Sequence, residues 1–232
     1  MQQIKLCIIW LAAIILMCGY QAQATTDRAT ACANNMRQLV IAILFYNVDN
    51  PEGLPAYTID ENGERLHSWR TLILPYMEQR ALYDKIRLGE PWDSEYNQQF
   101  HDVIISFYQC LSAPERGNAP TTNYFLLTGE GTVFEDRHFS ASAGKDTILL
   151  IESARTVHWM SPEDVTAENF VAGLAPPVTP NHRNFAFPDG SVEIIRPTSS
   201  AFNLFVTVIV PAIAVVILAI AIFISLPRHS KQ

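Results

Sequence analysis

Few of the residues that build metal and redox sites occur in this sequence. Its 232 residues include four cysteines and six histidines, and these form neither a Cys-x-x-Cys nor a His-x-x-x-His pair, so the short ligand spacings of zinc sites are absent. The ten glycines make no phosphate loop or dinucleotide fingerprint, and no Gly-x-Ser-x-Gly elbow presents a nucleophile. Basic residues are also scarce, 16 Lys and Arg against 23 Asp and Glu. Thirteen of the bases and all of the acids lie between Thr25 and Ser200, which gives that segment a net charge of −10. An acidic surface disfavours phosphate backbones, so no nucleic-acid partner is expected. There is no internal repeat.

Apolar residues, by contrast, concentrate at the two ends. Lys5, the apolar run Leu6 to Met17 and the small-x-small site Ala22-Gln23-Ala24 read as a signal peptide over 1–24, with an uncleaved N-terminal anchor as the alternative. Met17 stands where a lipoprotein signal before Cys18 requires a small residue, so lipidation is not expected. Ala201 to Leu226 holds no charged residue and exceeds the roughly 20 apolar residues that cross a bilayer. Pro211 inside it is tolerable, because membrane helices accept kinks. Arg228 and Lys231 follow the span, and Lys and Arg favour cytoplasmic loops. The expected organisation is therefore a signal segment 1–24, an extracytoplasmic domain 25–200, a transmembrane helix 201–226 and a cytoplasmic tail 227–232. The expected location is the cytoplasmic membrane, single-pass, with the lipid bilayer as one partner.

Cys7 and Cys18 fall in the signal segment, which leaves Cys32 and Cys110 in the exported part. Two cysteines in an oxidising compartment are expected to pair, two buried free thiols being the alternative.

Between the ends, Thr30 to Asn47 places Met36, Leu39, Val40, Ile43 and Leu44 at helical spacing, so a helix opens the domain. Asp60-Glu61-Asn62-Gly63-Glu64 predicts a hairpin whose Asn-Gly pair takes positive backbone angles. Trp69 to Ile86 is helical in spacing but broken at Pro75. Short strands are expected at Val103 to Tyr108, Tyr124 to Leu127, Thr147 to Ile151, Val157 to Met160, Phe185 to Phe187 and Val192 to Ile195, with Ala172 to Pro180 as a proline-rich surface loop. Helices first and strands afterwards predict α+β with an antiparallel sheet.

Several segments resemble one bacterial family, domain of unknown function 1559, also labelled solute-binding protein family 10. They include Cys32-Ala33-Asn34-Asn35-Met36, Leu66-His67-Ser68-Trp69-Arg70, Leu74-Pro75-Tyr76-Met77-Glu78-Gln79 and Glu90-Pro91-Trp92-Asp93-Ser94. Further matches are Tyr108-Gln109-Cys110, Thr122-Asn123-Tyr124, Thr147 to Glu152 and Phe187-Pro188-Asp189-Gly190-Ser191-Val192. The resemblance implies a pilin-like fold, an N-terminal helix packed on an antiparallel β-sheet. This chain departs from it in lacking a prepilin leader and in carrying its apolar anchor at the C-terminal end, and six residues separate His182 from Asp189 where the family has nine. The family brings no established enzymatic activity.

Weighed singly, the remaining constellations point to structure. The carboxylate pairs Glu135-Asp136 and Glu163-Asp164 read as solvated charge, because adjacent side chains point apart. Asp60 to Glu64 lacks the distal glutamate of a calcium loop. Trp69, Trp92 and Trp159 read as core, and Pro91-Trp92-Asp93-Ser94 as an inward ring with Asp93 or Ser94 capping backbone donors. No residue is expected to be catalytic, to bind a cofactor or to hold a metal, and Cys32 and Cys110 are the named pair. The expected function is that of a membrane-anchored, non-enzymatic envelope protein contacting other proteins, among them envelope, secretion or pilus-like components. A solute- or glycan-binding module is the alternative.

Overall fold

A computed structural model of the chain describes residues 28–140, 143–180 and 182–196. The expected signal segment, membrane helix and tail lie outside the described residues. Among the described residues no helix is long and apolar enough to cross a membrane.

Helix α1, residues 28–49, turns Ala29, Cys32, Met36, Leu39, Val40 and Ile43 inward, each at most 1% exposed. That three-and-four spacing is one helical face, and each fully buried aliphatic side chain contributes roughly 1.5 to 3 kcal/mol. Asn50 ends the helix by donating from its backbone and side-chain nitrogens to the Tyr46 carbonyl, both at 2.9 Å. Asn47 Oδ1 then accepts the Leu54 N–H at 2.7 Å. Gly53 makes the corner at φ +80°, where a Cβ would stand 2.8 Å from the Phe139 carbonyl oxygen; no side chain fits there.

Strands β1 (Tyr57–Ile59) and β2 (Arg65–Ser68) form the expected antiparallel hairpin. Gly63 alone of the Asn-Gly pair has a positive φ, so the turn is not the two-residue type expected. Asp60 Oδ1 closes it by accepting from the Asn62 and Glu64 N–H groups at 2.9 and 2.8 Å. The helical stretch from Trp69 is broken at Pro75 as expected, into α2 (Trp69–Leu72), a 3-10 turn (Leu74–Met77) and α3 (Arg80–Tyr83).

The remaining strands form one sheet: β3 (Thr121–Thr128), β4 (Leu150–His158), β5 (Val165–Thr166), β6 (Arg183–Ala186) and β7 (Val192–Ile195), in the order β5-β3-β4-β6-β7. Every pairing is antiparallel except β3 with β5, so the α+β expectation holds while the purely antiparallel sheet is corrected to a mixed one. Thr147 to Ile151 and Val157 to Met160, read as two strands, meet the single long β4 only at its two ends, Leu150-Ile151 and Val157-His158, and the residues between them continue the strand. Val103 to Tyr108 is not a strand: Ser106–Tyr108 is a 3-10 turn. Helix α4 (Ala167–Val171) is capped by Thr166 Oγ1, which accepts the Asn169 N–H at 3.1 Å.

Alternation along β3 puts Tyr124 and Leu126 on one face and Phe125 and Leu127 on the other. Tyr124 and Leu126 share a core with α1, Trp69, Ile73, Tyr108, Leu149 and Trp159. Phe125 and Leu127 pack with Ile151, Val165, Ala175, Phe170 and Phe185. The proline-rich stretch is more than surface, because Ala175 is 2% exposed and the Pro176 carbonyl accepts the Ala154 N–H at 2.8 Å.

Candidate functional site

Ser68-Trp69-Arg70 lies at the junction of hairpin and helix. Ser68 caps α2, its hydroxyl accepting the Arg70 N–H at 3.2 Å and Arg70 Nη1 at 2.8 Å. The guanidinium is wholly buried and meets Asp164 at 2.8 Å. Its Nε and Nη2 also donate to the Tyr124 carbonyl, at 3.2 and 2.8 Å. Asp164 Oδ1 accepts in addition from Trp69 Nε1 at 3.2 Å and from the Leu126 N–H at 2.9 Å. Burial pushes the Arg70 pKa down and the Asp164 pKa up, and the contact between the two opposes both shifts. Arg70 Nη1 also donates to the Glu163 carbonyl at 3.3 Å, so five groups outside the pair hydrogen-bond to it, while Asp164 Oδ2 has no partner; hydrogen bonds to charged groups of this kind are stronger than neutral ones. The Glu163-Asp164 expectation is thus half corrected: the two side chains do point apart, Glu163 reaching Arg155 at 2.6 Å on the surface, but Asp164 turns into the core.

His67 and Asn97, both fully buried, hold the stretch 87–91. His67 Nε2 faces the Arg87 and Glu90 carbonyls at 3.3 and 2.8 Å, which only an N–H satisfies, so Nδ1 is the bare nitrogen and has no partner. Burial drives the His67 pKa down. Asn97 donates to the Arg87 and Pro91 carbonyls at 3.1 and 2.9 Å and accepts the Arg87 N–H at 3.0 Å. Ser94 Oγ caps the Asn97 N–H at 3.2 Å, as expected of one of the pair Asp93 and Ser94, whereas Asp93 is exposed. Trp92 is half-buried, stacked on His101 and His158 at 5.1 and 5.2 Å, and those imidazoles are 4.6 Å apart. Rings on opposite indole faces would lie much farther from each other, so both cover the same face. Trp159 is fully buried and donates to the Val103 carbonyl at 2.8 Å.

Cys32 and Cys110 are joined, with Cα atoms 5.1 Å apart. The bond ties α1 to the segment before β3, where Asn123 Oδ1 accepts the Cys110 N–H at 3.1 Å and Nδ2 donates to Glu115 and to the Ser153 carbonyl. A Glu152 carboxylate oxygen and both sulfurs lie within 4.8 Å of one another. Sulfurs in a disulfide are not thiolate ligands, so this group is not a metal site. Glu152 Oε2 accepts from Asn184 at 2.6 Å while Oε1 has no partner. Desolvation pushes its pKa up to about 7. The Asp189-Gly190 turn joins β6 to β7 through the Ser191 N–H on Asp189 Oδ1 at 2.9 Å, a structural role as expected.

Against this inward bonding, the outward face of α1 is open. Ile41, Phe45 and Val48 are 48%, 58% and 77% exposed; their spacing of four and three places them in one stripe. At the end of the stripe Tyr46 packs edge-on against Tyr76, whose hydroxyl donates to Asp49 at 2.9 Å. The sequence reading passed over this stripe, although the extra apolar residues at 41, 45 and 48 beside an already complete inner face were its signal. A groove of about 770 Å³ lies between Thr128–Glu130 and α4, lined by Glu130, Glu168 and Val171 among others. Neither Trp92 nor Trp159 lines it.

No curated protein and no solved structure matches the chain. The segments found above to build the buried networks fall for the most part within residues 24–163, the stretch matched by one family model, and on that match the chain belongs to the family described as Protein of unknown function (DUF1559).

Proposed function

We propose that this protein is a non-enzymatic envelope protein, anchored in the cytoplasmic membrane by residues 201–226, whose pilin-like domain acts outside the cytoplasm by contacting other proteins. The observation that carries the reading is the stripe of Ile41, Phe45 and Val48 on the open face of a helix whose opposite face is buried in the core. Exposed apolar side chains grouped within a polar border favour a protein interface. The segments that match the family, meanwhile, are engaged in holding the scaffold together, Arg70 on Asp164 and His67 on the 87–91 backbone.

A photo-reactive amino acid at position 45, introduced into the full chain in producing cells, should capture protein adducts, envelope, secretion or pilus-like components among them. The same residue at position 61, on the hairpin turn, should capture few. Equal yields would defeat the reading. Protease added outside the cytoplasmic membrane should digest the domain and leave an anchor fragment, whereas a domain protected until that membrane is lysed would overturn the topology.

The solute- or glycan-binding reading has one observation in its favour, the half-buried Trp92 on its imidazole pair. Saturable quenching of tryptophan fluorescence by an oligosaccharide, lost in Trp92→Leu, would move the assignment to it.

A further inference from the structure

The order of side chains on the open face of α1 is symmetric about the level of Ile43. Two residues to either side stand Ile41 and Phe45, five residues to either side Gln38 and Val48, and six residues to either side Arg37 and Asp49. All six are exposed. Glu52 adds a second carboxylate just beyond the helix at the Asp49 end, and among the described residues of α1 no carboxylate lies on this face at the Arg37 end, where Asn34 accepts from Arg37 Nη1 at 2.7 Å. The face is thus an apolar centre with a cation at one end and anions at the other, about 18 Å apart at 1.5 Å per residue.

A surface with that order is complementary to itself when reversed. We propose that a second copy of this chain pairs with the first through this face, the two α1 helices antiparallel about a two-fold axis at the level of Ile43. This rests on the contact-making reading of the stripe and names its partner. In that arrangement Ile41 of each copy meets Phe45 of the other, and Val48 lies beside Gln38. The Arg37 end of one helix comes to the Asp49 and Glu52 end of its neighbour. Each contact occurs twice, as an isologous interface requires. A parallel pair would set Arg37 against Arg37 and the carboxylates against each other. Exposed charges select orientation more than they add affinity. A single helical stripe is also smaller than the roughly 800 Å² per partner of standard interfaces, so the association is weak and concentration-dependent.

The test uses the full-length chain in non-ionic detergent with Cys7→Ser and Cys18→Ser, the native disulfide intact. Gln38→Cys and Val48→Cys are made separately, then oxidised alone and mixed. The antiparallel pair gives crosslinked dimer in the mixture, several-fold above either variant alone, because like positions are separated along the axis. Arg37→Glu lowers that yield several-fold, and a partner bearing Asp49→Lys and Glu52→Lys restores it. Each variant alone crosslinking as well as the mixture would overturn the antiparallel pair in favour of a parallel one. No crosslink in any combination, while position 45 still captures a different protein, would overturn self-pairing and leave the contact reading standing. No capture at position 45 either would remove both. Should a charge variant fail to fold, judged by its thermal melt, the cysteine pair decides alone, since it leaves every charge in place.

Discussion

Arg70 and Asp164 are 94 residues apart in the chain and 2.8 Å apart in space, with side-chain exposures of 0% and 6%. Their contact joins α2 to the segment that enters β5, and the Leu126 N–H and Trp69 ring bind the same carboxylate oxygen. Breaking a buried pair on one side leaves a bare charge in the core, which costs about 3 to 5 kcal/mol. Arg70→Met should therefore lower stability by that amount in urea unfolding. Arg70→Met with Asp164→Leu should cost less than the sum of the single changes, because the second removes the stranded charge. Additive losses would mean that the pair is not coupled.

Glu152 gives the fold a pH dependence of its own. Its carboxyl, desolvated among Tyr124, Asn184 and the disulfide, keeps its proton up to about pH 7, against an ordinary 4.5. Between those values the folded chain holds a proton that the unfolded chain has released, so the stability it supplies is complete below about pH 4.5 and is lost as pH rises towards 7. The whole change is roughly 3 kcal/mol at 1.36 kcal/mol per unit. Glu152→Gln should abolish it, so that the difference in unfolding free energy between variant and parent widens from pH 4.5 to 7 and is level above. A difference independent of pH would show that Glu152 titrates normally.

These two sites show what a sequence discloses. Periodicity predicted α1 because Met36, Leu39, Val40 and Ile43 all face one core, and β7 because Val192 to Ile195 is bounded by turn residues. Ser68-Trp69-Arg70 stood out as a motif, yet its purpose was hidden because Asp164 lies 94 residues onward in a pair that read as surface charge. Val103 to Tyr108 has the composition of a strand, but Ile104 is 42% exposed and the segment closes a 3-10 turn, so tertiary context overrode β-propensity. The open face of α1 was visible in principle, since one buried stripe accounts for only part of the helix's apolar residues.

His67 carries the opposite pH sign to Glu152. Burial holds its imidazole neutral, with Nε2–H on two carbonyls and Nδ1 bare. A proton on Nδ1 would find no acceptor there, so the stability tied to the neutral ring is present above the ordinary histidine value of about 6.5 and is lost as pH falls below it. A nitrogen-15 NMR titration should show the His67 ring gaining its proton at lower pH than a solvent-exposed histidine, with the neutral ring protonated at Nε2. A His67 ring that charges together with the exposed histidines, or one protonated at Nδ1 when neutral, would refute the assignment.

The disulfide offers the most direct check, because it fixes α1, from a point near the start of the described helix, to the segment that precedes β3. Cys32 and Cys110 enclose a separation of 78 residues, and closing such a loop lowers the entropy of the unfolded chain by an amount worth roughly 4 kcal/mol. Both cysteines are fully buried, and the Leu111 N–H donates to Cys32 Sγ at 3.0 Å, so the bond is set within the core and shielded from reductant in the folded state. Cys32→Ser and Cys110→Ser should each cost about 2 to 5 kcal/mol. The double variant should cost little more than either alone, because all three lose the same bond. Thiol labelling of the domain, denatured without reductant, should find neither cysteine reactive, and labelling after reduction should find both. Two reactive thiols before reduction would show that the bond does not form, and α1 would then be held by packing and by hydrogen bonds such as the Tyr124 hydroxyl on the Cys32 carbonyl at 3.3 Å and Asn35 on the Gln109 carbonyl at 3.2 Å.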